Sequence, residues 1–497
     1  MNSIEILVPS AAMARHDDRG HGHHPGNYDL EEPAHSATHS LTQHSLERAL
    51  NTGDLSVRQA RQLGLLVFST PFNHLDGLGD GPWRADETDP VALGQRPTLQ
   101  GNGQFLRVNG LDSQSCNECH SVVSSRTLPP TTGIAGVGGA VQNAIIMPSV
   151  IDVADSFDDR VQFVSGHDPE LSMQGDGVAD YNGRFANPPF LYGGGGTELL
   201  GKEMTEDLQH DLQVAQSSPA GTVVSLDTHG VSFGTITSLG GGNVQVDNQG
   251  VDDDLVVKPF GRKGDAFSMR DFDRGAMQFH FGIQPDEVVG HGVDADHDGV
   301  ADEVTDAEMS VLHIFDVNNP VPRYVPFDGS AGHGFQVFQQ VGCSDCHKPA
   351  LVTRSRQLPL AFPEVKTDPT ANVYFHVDLT DVGFQADPHG PGVIVPFFAD
   401  LKRHDMGPGL AETFERGKAL NPYFTTARLW GIADTAPYMH DGRATTLYQA
   451  IMMHGGEAQQ VRDDFANLSN SDQHALISFL KSLRVPQNPD QDLLPIQ

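Results

Sequence analysis

The sequence is short of cysteines, of basic residues and of long apolar runs. Its four cysteines, Cys116, Cys119, Cys343 and Cys346, form two pairs at CxxC spacing, which leaves no thiol for a disulfide or for thiol chemistry. No run approaches the roughly eighteen apolar residues that cross a bilayer, so we expect a soluble chain with no membrane span.

Basic residues number 31 against 65 acidic ones, and the formal net charge is -34. This charge excludes nucleic acid and anionic membranes as expected partners, because a phosphate backbone would be repelled. It favours a small cationic electron-transfer protein as donor or acceptor. The alternative is that the acidity only confers solubility.

Each cysteine pair is followed by a histidine, in C-N-E-C-H at 116–120 and C-S-D-C-H at 343–347. In such a motif the two thiols add to the vinyl groups of one haem, and the histidine (His120 or His347) becomes the proximal iron ligand. A zinc knuckle needs four ligands per site, and a redox CxxC needs no following histidine. The motifs therefore predict two covalently bound c-type haems. Because bacteria attach such haems outside the cytoplasm, they also predict a periplasmic protein.

The first residues resemble only part of an export signal. An apolar run at 4–8 precedes A-M-A at 12–14, but the run is short and no basic segment comes before it. We expect the export signal to be absent from, or truncated in, this sequence. Residues 1–45 are predicted to be a disordered, histidine-rich leader, with adventitious metal binding as the alternative role of its histidines: His16, His21, His23, His24, His35, His39 and His44.

The two haem motifs lie in similar surroundings. G-L-L-V-F at 64–68 resembles G-F-Q-V-F at 334–338, and A-M-Q-F-H-F-G at 276–282 resembles A-I-M-M-H-G-G at 450–456. The second pair of segments contains His280 and His454, each available for the other face of a haem. The repeat predicts two cytochrome c-like haem domains in a mainly α chain with long loops.

The predicted N-terminal haem domain covers residues 46–324, and the C-terminal one covers 325–497. Strand-like segments with Gly and Asn turns at about 221–257 predict a β-rich insertion in the first domain. Helices are predicted at 54–68, where the first domain opens, and at 471–483, where the second closes.

An acidic loop, D-A-D-H-D-G-V-A-D at 294–302, has the spacing of a calcium loop. Thr305 stands where an EF-hand has glutamate, so this is not a regular EF-hand. We expect structural Ca2+ here, with an acidic turn as the alternative. The predicted calcium ligands are Asp294, Asp296, Asp298, Val300 and Asp302.

The stretch L-W-G-I-A-D-T-A-P-Y-M-H-D-G-R-A-T-T-L at 429–447 closely resembles the C-terminal domain of bacterial di-haem cytochrome c peroxidases. L-K-R-H-D-M-G at 401–407 and H-G-G-E-A at 454–458 resemble a branch of the same peroxidase and MauG superfamily, the di-haem or so-called thiol oxidoreductases. The resemblance runs from about residue 64 to residue 483 and is densest after residue 332. A thiol activity finds no support, since every cysteine belongs to a haem motif.

In that superfamily one haem relays electrons, and the other has an open or exchangeable face for peroxide. The peroxidases have a methionine ligand for the relay haem at the position that His454 occupies here. The resemblance therefore implies His347/His454 ligation, which lowers the potential relative to His/Met ligation. Trp430 is expected either to assist electron transfer or to pack against the porphyrin. Arg443, with His440, is expected to stabilise the haem propionates or the loop.

The resemblance makes the His120 haem the one that reacts with peroxide. This chemistry needs a group that takes a proton from one peroxide oxygen and delivers it to the other. His280 is the candidate from the repeat, or else an iron ligand that must leave. Glu198 and Glu203 are candidates because a glutamate has this role in the peroxidases; the alternative for each is a solvated helix carboxylate.

The leading prediction is a periplasmic di-haem c-type oxidoreductase. It would reduce hydrogen peroxide at the His120 haem with electrons relayed through the His347/His454 haem. One alternative is oxidation of an organic or protein substrate, as in MauG-type enzymes and di-haem oxygenases. The other is a non-enzymatic electron carrier with two bis-histidine haems. The long, irregular first half favours an active site.

Overall fold

The computed structural model describes residues 33–78, 106–107, 110–111, 114–120, 145–148, 183–189, 191–295, 298–324, 329–412, 418–486 and 493. Residues 1–32 of the predicted leader and Asp296 of the acidic loop lie outside this set. Residues 36–39 and 43–52 are helical, so the C-terminal part of the predicted leader is ordered. No helix among the described residues has the length and apolar character needed to cross a membrane.

The described residues form runs of helices and runs of short strands along the chain. The described α-helices are α1 Ser36–His39, α2 Gln43–Thr52, α3 Val57–Ser69, α4 Gly194–Ser217, α5 Met269–Ala276, α6 Asp286–Val289, α7 Asp306–Val317, α8 Gly329–Val341, α9 Leu379–Val382, α10 Leu447–Met452, α11 Gln459–Ala466 and α12 Asn470–Leu480. The described strands are β1 Leu106–Arg107, β2 Gly110–Leu111, β3 Ile145–Pro148, β4 Gly183–Ala186, β5 Val223–Thr228, β6 Val231–Gly240, β7 Asn243–Asn248, β8 Arg323–Tyr324, β9 Leu351–Val352, β10 Gln357–Ala361, β11 Val373–Asp378, β12 Gln385–Ala386, β13 Val393–Val395, β14 Arg403–Asp405, β15 Tyr423–Thr425 and β16 Leu483–Arg484.

Helices α3 and α7 cross in close contact in the first half of the chain. A Cβ atom on Gly64 would lie 2.1 Å from the carbonyl oxygen of Val311, so only glycine permits this approach. One turn further along each helix, the rings of Phe68 and Phe315 pack with centroids 5.1 Å apart.

Helices α8 and α12 repeat this arrangement in the second half. A Cβ atom on Gly334 would lie 1.9 Å from the carbonyl oxygen of Ala475, and Phe338 packs on Phe479 with ring centroids 5.3 Å apart. The spacing between glycine and phenylalanine is four residues on α3 and on α8. The predicted repeat of 64–68 and 334–338 therefore corresponds to two equivalent helix pairs.

Two buried cores support these pairs. The smaller one contains apolar side chains of α8, α10, α11 and α12. The larger one contains α3, α4 and α7 but also β9 to β11, β13 and Trp430. Apart from Phe398, which belongs to the smaller core, the core side chains of 351–401 thus pack with the first half. The domain division at residue 324 stays a prediction.

The predicted β-insertion is present. Strands β5, β6 and β7 form an antiparallel sheet with the order β5-β6-β7. Leu226, Phe233 and Ile236 are buried in the larger core. The predicted terminal helix is also confirmed: Ser469 caps α12, which ends at Leu480.

Candidate functional site

The second CxxCH motif follows α8 directly. Gly342 ends the helix with φ +97, a conformation that favours glycine. Residues Cys343–Asp345 then form a 3₁₀ turn, and the backbone N–H of His347 donates to the carbonyl of Cys343 over 3.0 Å. The turn holds both cysteines and the histidine on one short segment.

His347 and His454 face each other beside this turn. Nδ1 of His347 donates to the carbonyl of Phe398 (3.0 Å) and Nδ1 of His454 to that of Ala450 (2.8 Å), which leaves each Nε2 available. Burial, together with His454, lowers the pKa of His347 to about 4, so the imidazole is neutral. Neutral imidazole is the form that binds metals.

The spacing of the two rings fits a shared iron. Their centroids lie 6.4 Å apart. Two imidazoles that bind one metal through bonds of about 2 Å have centroids roughly 6 Å apart. This spacing would allow both imidazoles to bind one iron, and the His347/His454 ligation stays a prediction. Met452 and Met453 pack at the edge of the smaller core instead.

His404 links the two segments that resemble the di-haem oxidoreductases. Its Nε2 donates to Asp400 (2.9 Å) and its Nδ1 donates to Glu457 (2.7 Å). Burial opposes protonation, but hydrogen bonds to Asp400, Cys346 and Glu457 raise the pKa of His404 to about 11. Sequence reasoning assigned no role to His404, although its place in the 401–407 motif was an available signal.

The loop after Trp430 is tied to several parts of the chain. His440 stacks on Phe424 with ring centroids 4.5 Å apart. Arg443 donates to Asp441 and to the carbonyl of Gly409 (2.9 Å). These contacts agree with the loop-stabilising alternative for Arg443.

Trp430 is fully buried. Its ring packs against Phe384 and Phe397, with centroids 6.3 and 6.0 Å away. A Cβ atom on Gly193 would lie 2.4 Å from the indole ring. Trp430 thus packs among protein side chains, and both packing against a porphyrin and assistance to electron transfer stay predictions.

The first CxxCH motif forms a similar turn. Cys116–Glu118 is a 3₁₀ turn, and the N–H of His120 donates to the carbonyl of Cys116 over 2.8 Å. Burial lowers the pKa of His120 to about 4. The predicted partner His280 lies on a π-helical turn, Met277–Phe281, that continues α5. Such turns occur frequently at functional sites, but the pairing of His280 with His120 stays a prediction.

Two buried carboxyl groups lie near Cys116. Burial and the charges of Asp316 and Asp273 raise the pKa of the Cys116 thiol well above its usual range. Burial, with Asp316 as hydrogen-bond partner, also raises the pKa of Asp273 well above normal. Burial thus favours the protonated form of Asp273, beside the first CxxCH turn. Sequence reasoning missed both residues, since no local motif marks them.

Glu198 and Glu203 both make structural contacts. Glu198 is fully buried and accepts hydrogen bonds from Lys202 (2.7 Å), His313 (3.0 Å) and the N–H of Met269 (2.9 Å). Burial alone would raise its pKa, but His313 and Lys202 hold it below its usual range. Glu198 is thus a fixed carboxylate rather than the solvated helix carboxylate of the alternative prediction.

Glu203 lies near the loop that follows β9. Its carboxylate accepts from the N–H groups of Arg354 (2.7 Å) and Ser355 (3.0 Å). Burial raises the pKa of Glu203 to about 7. The described contacts do not connect Glu203 to either CxxCH turn, so its catalytic role stays a prediction.

The acidic loop has part of the geometry of a calcium loop. Asp294 accepts from the N–H of Gly299 (3.2 Å), and Asp298 accepts from the N–H of Val300 (2.7 Å). Gly299 has φ +99, which permits the sharp turn. Asp302 accepts from the N–H of Gly292. Asp296 lies outside the described residues.

Parts of the chain are similar in sequence to a known family and to a known peroxidase. Residues 389–483 match the sequence model of a family described as "Di-haem oxidoreductase, putative peroxidase". The chain is 28% identical over 178 residues to cytochrome-c peroxidase IdrP2 of Denitromonas iodatirespirans, covering 33% of this chain and 44% of that protein. The chain thus spans less than half the length of this relative.

Two solved structures overlap with about a third of the chain. Hydrazine synthase of Kuenenia stuttgartiensis gives a TM-score of 0.21 at 18% identity, covering 36% of this chain and 55% of that one. A MauG-like protein associated with microbial copper homeostasis gives 0.22 at 16% identity, covering 36% and 52%. The family match, which lies in the C-terminal part of the chain, and the peroxidase relative support membership of the superfamily of di-haem oxidoreductases and cytochrome c peroxidases.

Proposed function

We propose that the chain is a periplasmic di-haem c-type oxidoreductase that reduces hydrogen peroxide at the His120 haem, using electrons relayed through the His347/His454 haem. One observation carries the proposal. The segment that matches the di-haem oxidoreductase family, 389–483, supplies His454, whose ring lies opposite His347 at the spacing of two axial ligands. The covalent haem, when bound, supplies one-electron chemistry.

The residues of the chain would bind the haem iron, hold the ligand rings in place and supply a proton. His347 and His454 are fixed by backbone carbonyls, so neither ring needs to reorient to bind iron. Cys343 lies beside them, and burial raises the pKa of its thiol to about 12. A thiol with so high a pKa is protonated at neutral pH, which argues against thiol redox chemistry, because that chemistry depends on the thiolate.

At the first site we propose that the proton for peroxide reduction comes from the Asp273 and Asp316 pair. The pair lies close enough to Cys116 to raise the pKa of its thiol, and burial favours the protonated form of Asp273. Glu198 does not suit this task, because His313 and Lys202 keep it ionised and fixed. Removing a positioned acid and base typically costs about 100-fold or more in rate.

The test is low-temperature EPR of the ferric, haem-loaded protein before and after hydrogen peroxide. We expect one low-spin signal from the His347/His454 haem and one high-spin signal that peroxide removes. Steady-state peroxide reduction with a reduced small cationic cytochrome as donor should then fall about 100-fold or more in Asp273→Asn. Asp271→Asn, on the same helix but bonded to Arg274, serves as the control with unchanged rate.

A second function is favoured by the repeat. His280 lies in a segment that resembles the one around His454, and the ring of His454 lies opposite that of His347. If both haems were bis-histidine, the chain would be an electron carrier. Two low-spin EPR signals that persist after reduction of one haem and are inert to peroxide would establish this function and reject the peroxidase.

Location, partner and calcium belong to the same proposal. Haem attachment to both motifs supports a periplasmic protein, and the charge of -34 supports a cationic donor. The Asp294 and Gly299 hydrogen bond supports a calcium loop. Fractionation of cells, followed by haem staining of a denaturing gel, tests location and covalent attachment together.

A further inference from the structure

A cluster of histidines and carboxylates lies where α1 packs against α7. His35 precedes the four-residue helix α1 and His39 is its last residue. Asp76 ends a 3₁₀ turn after α3, and Glu308 lies in the first turn of α7. His35, Asp76 and Glu308 are almost completely buried, at 2%, 0% and 1% exposure. None of these residues belongs to either CxxCH turn.

We propose that His35, His39 and Glu308 bind a zinc ion, with Asp76 as the carboxylate that orients His35. The inference is independent of the peroxidase proposal, because it uses none of the residues that carry that proposal.

The ligand atoms already converge. Nε2 of His35 lies 2.9 Å from Nδ1 of His39, and Nδ1 of His39 lies 3.5 Å from Oε2 of Glu308. In a tetrahedral zinc site with bonds of about 2.0–2.1 Å, neighbouring ligand atoms are roughly 3.3 Å apart. The two separations lie on either side of that value, so a small adjustment brings all three atoms to the metal.

The outer contacts match those of known zinc sites. Nδ1 of His35 lies against Oδ1 of Asp76, so Nε2 is the nitrogen left for the metal. A metal-binding histidine almost always donates its other ring nitrogen to such a carboxylate or to a carbonyl. Asp76 is itself fixed, because its other oxygen accepts from the N–H of Asn73 over 2.7 Å.

Glu308 is held equally firmly. Its Oε1 accepts from the hydroxyl of Thr38 (2.7 Å), and its Oε2 accepts from the N–H of Thr305 (2.9 Å). Oε2 also accepts from the hydroxyl of Thr305 (3.1 Å) and lies 3.5 Å from Nδ1 of His39. Two imidazoles and one carboxylate form a donor set that suits zinc, whereas calcium prefers oxygen ligands throughout.

The metal would explain why α1 is folded. A helix of four residues is unstable alone in water, because forming its first turn is unfavourable. Binding through His35 and His39 on α1 and Glu308 on α7 would link this segment to the larger core, so that metal affinity becomes folding free energy.

The experiment titrates Zn2+ into full-length, haem-loaded protein after chelator treatment, with calorimetry and elemental analysis as readouts. We expect one zinc per chain, and binding at least tenfold weaker in His39→Gln and Glu308→Gln. Asp76→Asn should weaken binding about 10–100-fold. His44→Gln is the matched control, since His44 is an exposed histidine of the same segment, and it should bind normally.

A second variant separates this site from the upstream histidines. With His16, His21, His23 and His24 all replaced by alanine, the zinc should remain bound. Loss of zinc in that variant, or unchanged affinity in His39→Gln, would overturn the proposal. Zinc-edge X-ray absorption of the wild type keeps the test independent of variant folding: two imidazoles in the first shell support the site, and fewer than two reject it.

Discussion

The imidazole rings of His347 and His454 lie 6.4 Å apart, and each is fixed through Nδ1 by a backbone carbonyl. The ring of His454 occupies the position that would decide the potential of the second haem. His454→Met should raise that potential, because His/Met ligation favours ferrous iron more than bis-histidine ligation does. The expected rise is on the order of 0.1 V, within the roughly 0.8 V that axial ligands span. A spectroelectrochemical titration measures it.

Met453→Leu is the control for this variant. Met453 packs at the edge of the smaller core, so its replacement should leave the potential unchanged. A potential that responds to Met453→Leu and not to His454→Met would show that the ligand has been assigned to the wrong side chain.

The helix pairs could be predicted from sequence because their signals are local. The G-x-x-x-F pattern occurs at 64–68 and at 334–338, and each places glycine at the crossing and phenylalanine one turn later. The partner helices could not be assigned in the same way. Val311 and Ala475 contact the glycines through backbone oxygens, and a backbone contact leaves no requirement on the side chain that a sequence pattern would record.

The candidate site was predictable where a motif forms it and unpredictable where distant residues meet. The CxxCH turns follow from their own spacing, and the role of His454 is implied by the family resemblance. The pairing of Glu198 with His313 joins residues 115 positions apart. The salt bridge of His404 with Glu457 likewise joins strand β14 to a distant 3₁₀ turn. Such pairs depend on how distant segments pack and leave no local pattern. For this reason the sequence could not show that Glu198, a candidate catalytic residue, is fixed by His313 and Lys202.

Gly64→Ala should destabilise the protein by about 1–3 kcal/mol or more, because the new methyl group would meet the backbone of α7 rather than a side chain able to move. Denaturant unfolding of the haem-loaded protein measures the loss. Gly275→Ala is the matched control: Gly275 lies in α5 with open space around its Cα, and alanine there should be neutral or stabilising by up to about 1 kcal/mol. Equal effects of the two variants would refute the tight crossing.

His404→Gln should reveal a pH-dependent contribution to stability. Burial lowers the pKa of His404, but Asp400, Cys346 and Glu457 raise it to about 11 in the folded protein, whereas an unfolded histidine has a pKa of about 6.5. The folded state therefore binds the proton more tightly. The stabilisation is fully present below pH 6.5 and declines as the pH rises towards 11.

Thermal unfolding of wild type and His404→Gln between pH 6 and pH 10 checks this trend. The difference in unfolding free energy should be largest at pH 6 and should shrink steadily at higher pH. His376→Gln, which replaces an exposed histidine of β11, is expected to show no such slope. A constant difference for His404→Gln would mean that His404 is neutral in the folded protein.

Calcium removal should lower the stability of the loop at 294–302 and of the helix that follows it. Asp294 and Asp298 already turn their carboxylates towards the backbone of this loop, so a bound ion would replace repulsion between neighbouring acids with coordination. At a calcium concentration 100 times the dissociation constant, binding stabilises the folded state by about 2.7 kcal/mol.

We expect a chelator to lower the melting temperature of wild type and calcium to restore it. Asp298→Asn should melt at the chelated temperature with or without calcium. Asp381→Asn, which replaces an exposed carboxylate elsewhere, should respond as wild type does. A wild-type melting temperature that ignores both chelator and calcium would leave the loop as an acidic turn, because its hydrogen bonds to Gly299 and Val300 would then suffice to hold its shape.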